Sequence, residues 1–260
     1  MSYLLNHPYQ LFLAMVVLLP IAAEVGLQLS SILAGPPEDR PGLSTMYGGI
    51  LGLLGLILGF TFAMALGNYE VRQQLVIDEA NAVGTTWLRA EMIPAPYRDV
   101  VEKQLREYVS ARLDFYSAGL DQHRLQAALL RSGKLQDSLW SQAVGLAHDQ
   151  PTPITALFVQ SLNEMIDIEA KRLGALEKRI PGSVWVVLVA VSATGSVMTG
   201  TLFPRRTSTV FLLVPIVLAL VMTLIADLDT SRRGLIQVSQ ESLVRVSKTM
   251  NESFSPTPSP

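Results

Sequence analysis

The feature that most constrains this chain is a set of apolar runs, each long enough to cross a bilayer. Met46 to Gly67 (MYGGILGLLGLILGFTFAMALG) carries no charge, and neither do Ser183 to Phe203 and Thr207 to Ala226. Each is close to the ~20 residues a helix needs to span the hydrocarbon layer. Pro8 to Ala34 is a fourth such run, interrupted by a single charge, Glu24. Helices satisfy all their own backbone groups in lipid. The pattern therefore predicts an all-α membrane protein with four transmembrane helices, at 8–34, 46–67, 183–203 and 207–226. Met1 to Gln10 holds no Lys or Arg. A cleaved signal peptide needs a basic start, so the first run reads as an anchor.

Composition excludes several other classes. Charged residues make up 16% of the chain, against about 25% in an average soluble domain. The net charge is −2, whereas a protein that grips nucleic acid by charge is basic. There is no Cys, so disulfides, thiol catalysis and cysteine-based zinc sites are out. His7, His123 and His148 lie far apart in the sequence, with no pair at ligand spacing. No nucleophile–base arrangement, phosphate loop or metal motif occurs. The expectation is a protein that is not an enzyme and needs no cofactor.

Basic residues are unevenly shared between the two sides of the expected membrane. Arg40, Arg205 and Arg206 fall on one side; Arg72, Lys171, Arg172, Lys178, Arg179, Arg232, Arg233 and Arg245 fall on the other. The richer side should be cytoplasmic, which puts both termini and the segment 68–181 inside. That segment reads as helical. Tyr69 to Met92 continues the second span without a breaker, with Val71, Leu75, Val76, Val83, Trp87 and Leu88 at helical spacing. Ile93-Pro94-Ala95-Pro96 stops it. Tyr97 to Tyr116 is a further helix, with Val101, Leu105, Tyr108, Val109 and Leu113 on one face. Asp121 to Arg131 and Leu135 to His148 read as two shorter ones. Thr152-Pro153 opens a helix, as an N-cap followed by Pro, that runs to Ile180. Residues 227–252 read as an amphipathic segment carrying Leu235, Val238, Leu243 and Val246, and the Pro/Ser-rich end 253–260 as a disordered tail.

Three groups of residues are candidates for function. In the second span, Gly48, Gly52, Gly55 and Gly59 form a stripe of small residues at spacings of four, three and four. Such stripes let helices approach closely, either inside one subunit or between subunits around a shared axis. Beside them run Gly49, Leu53, Leu56, Phe60 and Met64, a stripe suited to a narrow apolar pore that gates by dewetting, to lipid, or to protein. Glu24 is the one formal charge within a span, either functional or placed to reach the interface or a partner. Asp227 and Asp229 read as the last helix leaving lipid. Outside the spans, Glu70, Arg72, Asp78, Glu79 and Asn81 on one helix, and Asn163, Asp167, Arg172 and Arg179 on the returning one, form a cytoplasmic polar network. It would fix a bundle or line a vestibule.

These residues also resemble a known family. Gly59-Phe60-Thr61-Phe62-Ala63-Met64-Ala65, then Tyr69-Glu70-x-Arg72, then Val76-x-Asp78-Glu79-Ala80-Asn81-Ala82-Val83-Gly84-Thr85, and Leu88-Arg89-Ala90 are similar to the bestrophin-like family of bacterial membrane proteins, a domain of unknown function. Pro96-Tyr97-Arg98, Leu105-Arg106-x-Tyr108-Val109, Leu162-Asn163-x-Met165-Ile166-Asp167, Arg172 and Arg179-Ile180-Pro181 extend the match, from about Gly48 to Leu228. The resemblance implies kinship with bestrophins, which are pentameric ion channels with four spans, a helical cytosolic region and a pore lined by the second span. Leu56 and Phe60 fall where bestrophins carry hydrophobic neck residues. After the neck, bestrophins are rich in Asn and Arg, whereas Thr61 to Gly67 here is almost wholly apolar. The acidic calcium clasp of animal bestrophins has no visible counterpart.

The expected function is an oligomeric, pentameric channel in a bacterial plasma membrane, with the second span as pore lining. Its partners are the lipid bilayer, further copies of itself and inorganic ions, and not nucleic acid. The alternative is a non-conducting, membrane-anchored helical sensor or scaffold.

Overall fold

The computed structural model describes residues 7–32, 41–203, 209–230, 232 and 234–252. Eight helices occur among them: α1 Pro8–Ile32, α2 Pro41–Ala90, α3 Tyr97–Ser117, α4 Gln122–Asp149, α5 Pro153–Glu177, α6 Gly182–Leu202, α7 Thr209–Asp229 and α8 Glu241–Glu252. No strand occurs among the described residues. Four helical stretches are long and apolar enough to cross a membrane; their apolar windows fall in α1, α2, α6 and α7. Residues 33 and 34 of the first expected span lie outside the described residues. So do Arg40, Arg205, Arg206 and Arg233 of the charge comparison, and the expected tail 253–260.

The sequence explains the element ends. α2 has 50 residues, about 75 Å at 1.5 Å per residue, more than twice the ~30 Å hydrocarbon thickness. Nothing breaks it until the Pro94–Pro96 region. Asp121 caps α4 by accepting from the backbone N–H groups of His123 and Arg124 at 3.0 and 3.1 Å. Thr152 caps α5 through the N–H of Thr155 at 3.2 Å. Residues 121–148, read above as two short helices, form the single helix α4, because Ser132 and Gly133 stay in register and no proline intervenes. α5 ends at Glu177 rather than Ile180, because the backbone N–H of Ile180 turns to Asp229 at 3.0 Å.

The chain divides into two compact units, Met1–Tyr69 with Lys178–Gln237, and Glu70–Glu177 with Val238–Pro260. The first contains the apolar helices. Leu11, Met15 and Leu19 of α1, Leu54 and Leu58 of α2, Trp185 and Leu188 of α6, and Met222 and Ile225 of α7 share its core. Its exposed positions are also apolar, among them Leu13, Val17, Ile21, Leu213, Val217 and Leu220, as expected of surfaces solvated by lipid. The close approach here is between α1 and α6. A Cβ on Gly26 would overlap the Val197 carbonyl, and one on Gly200 would overlap the Ala23 carbonyl and the Leu27 nitrogen.

Asp227 and Asp229 are both buried. They are not merely a helix end leaving lipid, because each carboxylate satisfies backbone donors of another segment. Asp227 accepts from the N–H groups of Leu235 and Ile236 at 3.0 and 2.9 Å. Gly234 enables this turn: its φ is +106°, and a Cβ there would overlap the Asp227 carboxylate. Gly234→Ala should therefore cost about 1–3 kcal/mol through backbone strain alone. It should lower the thermal midpoint of the solubilised protein; an unchanged midpoint would contradict the turn.

The second unit closes its own core from α2, α3, α4, α5 and α8. Val83, Trp87, Leu105, Tyr108, Leu139, Phe158, Leu162, Leu243 and Met250 are all buried in it. Of the expected C-terminal segment 227–252, the part from Val238 on belongs to this unit, whereas the part up to Gln237 belongs to the first. Of the residues expected on the apolar face of α2, Val76, Val83 and Trp87 are buried, while Val71 and Leu88 are exposed.

Candidate functional site: the uncovered face of α2 and a buried ion network

Among the described residues, one side of α2 is covered within each unit. Leu54, Leu58, Thr61, Ala65, Asn68, Arg72, Val76, Glu79, Val83, Thr86 and Ala90 are buried, at intervals of three or four. In the first unit, the described residues leave the opposite side open. Phe60 is 68% exposed, Leu56 56%, Leu53 51% and Met64 46%, and Gly49 is exposed beside them. The glycine stripe lies on the same uncovered side: a Cβ on Gly48, Gly52, Gly55 or Gly59 would meet nothing within 4 Å. Among the described residues nothing lies within Cβ reach of these glycines, and the close packing inside the unit is made by Gly26 and Gly200. The uncovered arc has two flanks, one of small residues and one of Leu, Phe and Met. Glu24 is half-buried on α1 and is not without a partner.

The polar candidates separate into a buried set and an exposed set. Glu79 and Arg172 meet in an ion pair, both buried. Arg112 completes the arrangement, donating from Nε to Glu79 Oε1 at 2.6 Å and from Nη1 to Glu169 Oε1 at 2.9 Å. Glu169 also accepts from the Ser132 hydroxyl at 2.9 Å, the Tyr108 hydroxyl at 2.7 Å and the Gln136 amide. Arg172 donates onward to Gln240 Oε1 at 2.9 Å, and its guanidinium lies 4.1 Å from the Tyr116 ring centroid. Two carboxylates and two guanidiniums thus balance in charge and join α2, α3, α4, α5 and the residue before α8.

By contrast, Glu70, Asn81, Asn163, Asp167 and Arg179 are exposed. Asn163 donates to Asp167 at 3.3 Å on the surface of α5, and Gln74 donates to Asp78 at 2.9 Å on α2. Arg72 is buried. Arg112, Glu169, Tyr108, Ser132, Gln136 and Gln240 were not among the sequence candidates for the network. The signal was present: Arg112 follows Val101, Leu105 and Tyr108 on one stripe, and Glu169 follows Phe158, Leu162 and Met165 on another.

The network's chemistry is structural. Every carboxylate oxygen has a donor, and no group of three or more His, Asp or Glu that could hold a metal occurs among the described residues. The Tyr108 hydroxyl is pushed well above its ordinary value of 10.0, first by burial and then by the charge of Glu169. In the unfolded chain this phenol ionises near pH 10, while the folded protein keeps its proton. The stability it contributes is therefore present below pH 10 and is lost as pH rises above it. Tyr108→Phe should flatten the alkaline limb of the stability curve; an equally steep limb in the variant would contradict this.

Comparison with known proteins follows the same architecture. The family model described as a bestrophin-like domain matches residues 18–243, which contain the motifs quoted above. A comparison with curated proteins finds no match. Among solved structures, the crystal structure of a bacterial bestrophin homolog from Klebsiella pneumoniae, carrying a mutation, matches with a TM-score of 0.64 at 10% identity. The alignment covers 92% of this chain and 97% of that one. At such identity the likeness is one of fold.

Proposed function

This chain belongs to the bestrophin-like family, and we propose on that premise that it is an ion channel in which several copies ring an axis and α2 of each lines the pore. The observation that carries the reading is the uncovered side of α2. A pore-lining helix needs one flank for its neighbour and one for the lumen. The glycine flank fits the first need, because small residues let backbones approach closely. The flank of Leu53, Leu56, Phe60 and Met64 fits the second, as a hydrophobic constriction. Phe60, the most exposed of these, is the gate residue in this reading, with Leu56 one turn before it. The ring is a pentamer, and the lipid bilayer and inorganic ions are its other partners. The richer basic side faces the cytoplasm of a bacterial cell, so that the second unit forms a cytoplasmic vestibule at the inner membrane.

Replacing Phe60 with Ala removes most of the constricting side chain from every subunit at once. The variant, in liposomes and verified as the same oligomer as wild type, should raise ion leak by about tenfold or more, as expected when a dewetted constriction is opened. An unchanged leak would count against the gate.

A further inference from the structure

The second unit carries a cavity that belongs neither to the buried ion network nor to the apolar stripe. It opens between α2 and α8 with a volume of about 220 Å³, walled by Gly84, Trp87 and Leu88 of α2 and by Val246 and Met250 of α8. All of these residues lie in one unit. Packing sets the walls. Trp87 and Met250 are buried in the core of the unit. The Arg106 guanidinium stands 5.0 Å from the centroid of the Trp87 ring, a cation–π contact that holds the indole in place. α8 is fixed by its buried Leu243 and, one residue before its start, by the hydrogen bond from Arg172 to Gln240 at 2.9 Å. Gly84 keeps the space open, since a Cβ there would meet nothing within 4 Å. The polar edge consists of Arg245 and Thr249. The Thr249 hydroxyl donates to the Arg245 carbonyl at 3.2 Å. The Arg245 guanidinium donates to the Ser242 hydroxyl at 3.4 Å, and among the described residues no carboxylate pairs with it.

We propose that this cavity binds a small amphipathic carboxylate, with its apolar body against Trp87 and Val246 and its acid group at Arg245. Size sets the body. An apolar cavity of about 150 Å³ admits benzene, so one of about 220 Å³ takes a single ring with a short acid arm. Charge sets the head. One guanidinium without a counter-charge matches one carboxylate, which it can hold with two parallel N–H groups. A phosphate monoester brings up to two negative charges, and the lining supplies one cation to meet them. The ligand touches α2 and α8 together, so its binding favours the docked arrangement of the C-terminal helix. The site stands whether or not the protein conducts ions, because every residue of it lies in the second unit.

The test is a titration of the full-length protein in nanodiscs with phenylacetate, followed by ligand-detected NMR, with empty nanodiscs as the blank. Wild type should saturate with a Kd below about 1 mM, as a fragment-sized ligand allows. 2-Phenylethanol, which keeps the ring and lacks the charge, should bind wild type about fivefold more weakly or worse. Arg245→Gln alters an exposed side chain and should weaken phenylacetate by a similar factor while leaving 2-phenylethanol unchanged. Gly84→Leu fills the cavity and should abolish binding of both probes. A thermal midpoint equal to wild type identifies variants that keep their fold, and the comparison of the two probes on wild type needs no variant. Saturable binding that survives in both folded variants would overturn the assignment, and so would equal affinity of wild type for the two probes. No saturable binding of phenylacetate to wild type, as when a neighbouring copy or residues 253–260 fill the cavity, would overturn it as well.

Discussion

Arg112→Ala should destabilise the second unit by about 3–5 kcal/mol, the cost of leaving buried carboxylates without their counter-charge. Arg112 is fully buried, and it is the cation that touches both Glu79 and Glu169. Its removal leaves Glu79 with one of its two guanidinium partners, Arg172, and strips Glu169 of its guanidinium. The companion expectation is that Arg112→Leu combined with Glu169→Leu recovers much of the loss, because deleting a buried pair costs less than breaking it. Glu79 and Arg172 would then remain as a neutral pair. Chemical denaturation followed by circular dichroism measures both. If the double variant is as unstable as the sum of the single ones, the network is not coupled as described.

The second large effect belongs to the membrane unit. Gly200→Val places a branched side chain where the backbone of α1 passes, at the Ala23 carbonyl and the Leu27 nitrogen. Overpacking against backbone cannot be relieved by a rotamer change. The expected cost is at least about 3 kcal/mol, at the upper end of such substitutions. The same change at Gly52 should cost little within one subunit, since a Cβ there meets nothing within 4 Å. In the proposed assembly its cost appears between subunits, as dissociation of the oligomer. Thermal midpoint and particle mass, measured together on both variants, separate the two outcomes. A Gly200→Val protein with wild-type stability would contradict the α1–α6 crossing.

The two glycine sets show what the sequence could and could not tell. Gly48, Gly52, Gly55 and Gly59 announce themselves by spacing. Spacing reveals a smooth helix face but not what lies against it. Gly26 and Gly200 also lie in small-residue runs at spacing four, Ala22-Gly26-Ser30 and Ser192-Ser196-Gly200, and only the crossing of the two helices shows what lies against them. The apolar runs were legible because lipid demands about 20 such residues in a row, and the long α2 because nothing in Tyr69 to Met92 breaks a helix. The polar network was half legible. Glu79 and Arg172 were candidates, and Arg112 and Glu169 were hidden by sitting on stripes that otherwise read as apolar core. A charged residue in register with buried Leu, Tyr and Met is itself the signal of a buried ion pair. The caps at Asp227 and Asp229 were missed for a different reason. Their partners, Leu235, Ile236 and Ile180, are backbone groups, which no side-chain pattern reveals.

Unlike the uncovered side of α2, the buried network and the glycine crossing would serve any four-span protein with a helical extension. In the proposed reading, only the uncovered stripe calls for a second copy of the chain, with small residues to one side of it and Leu, Phe and Met to the other. The mass of the particle in nanodiscs, corrected for lipid and scaffold, therefore tests the central claim most directly. The account predicts five subunits in a closed ring. A monomer or a dimer would contradict it, because one α2 per subunit could not then enclose a pore.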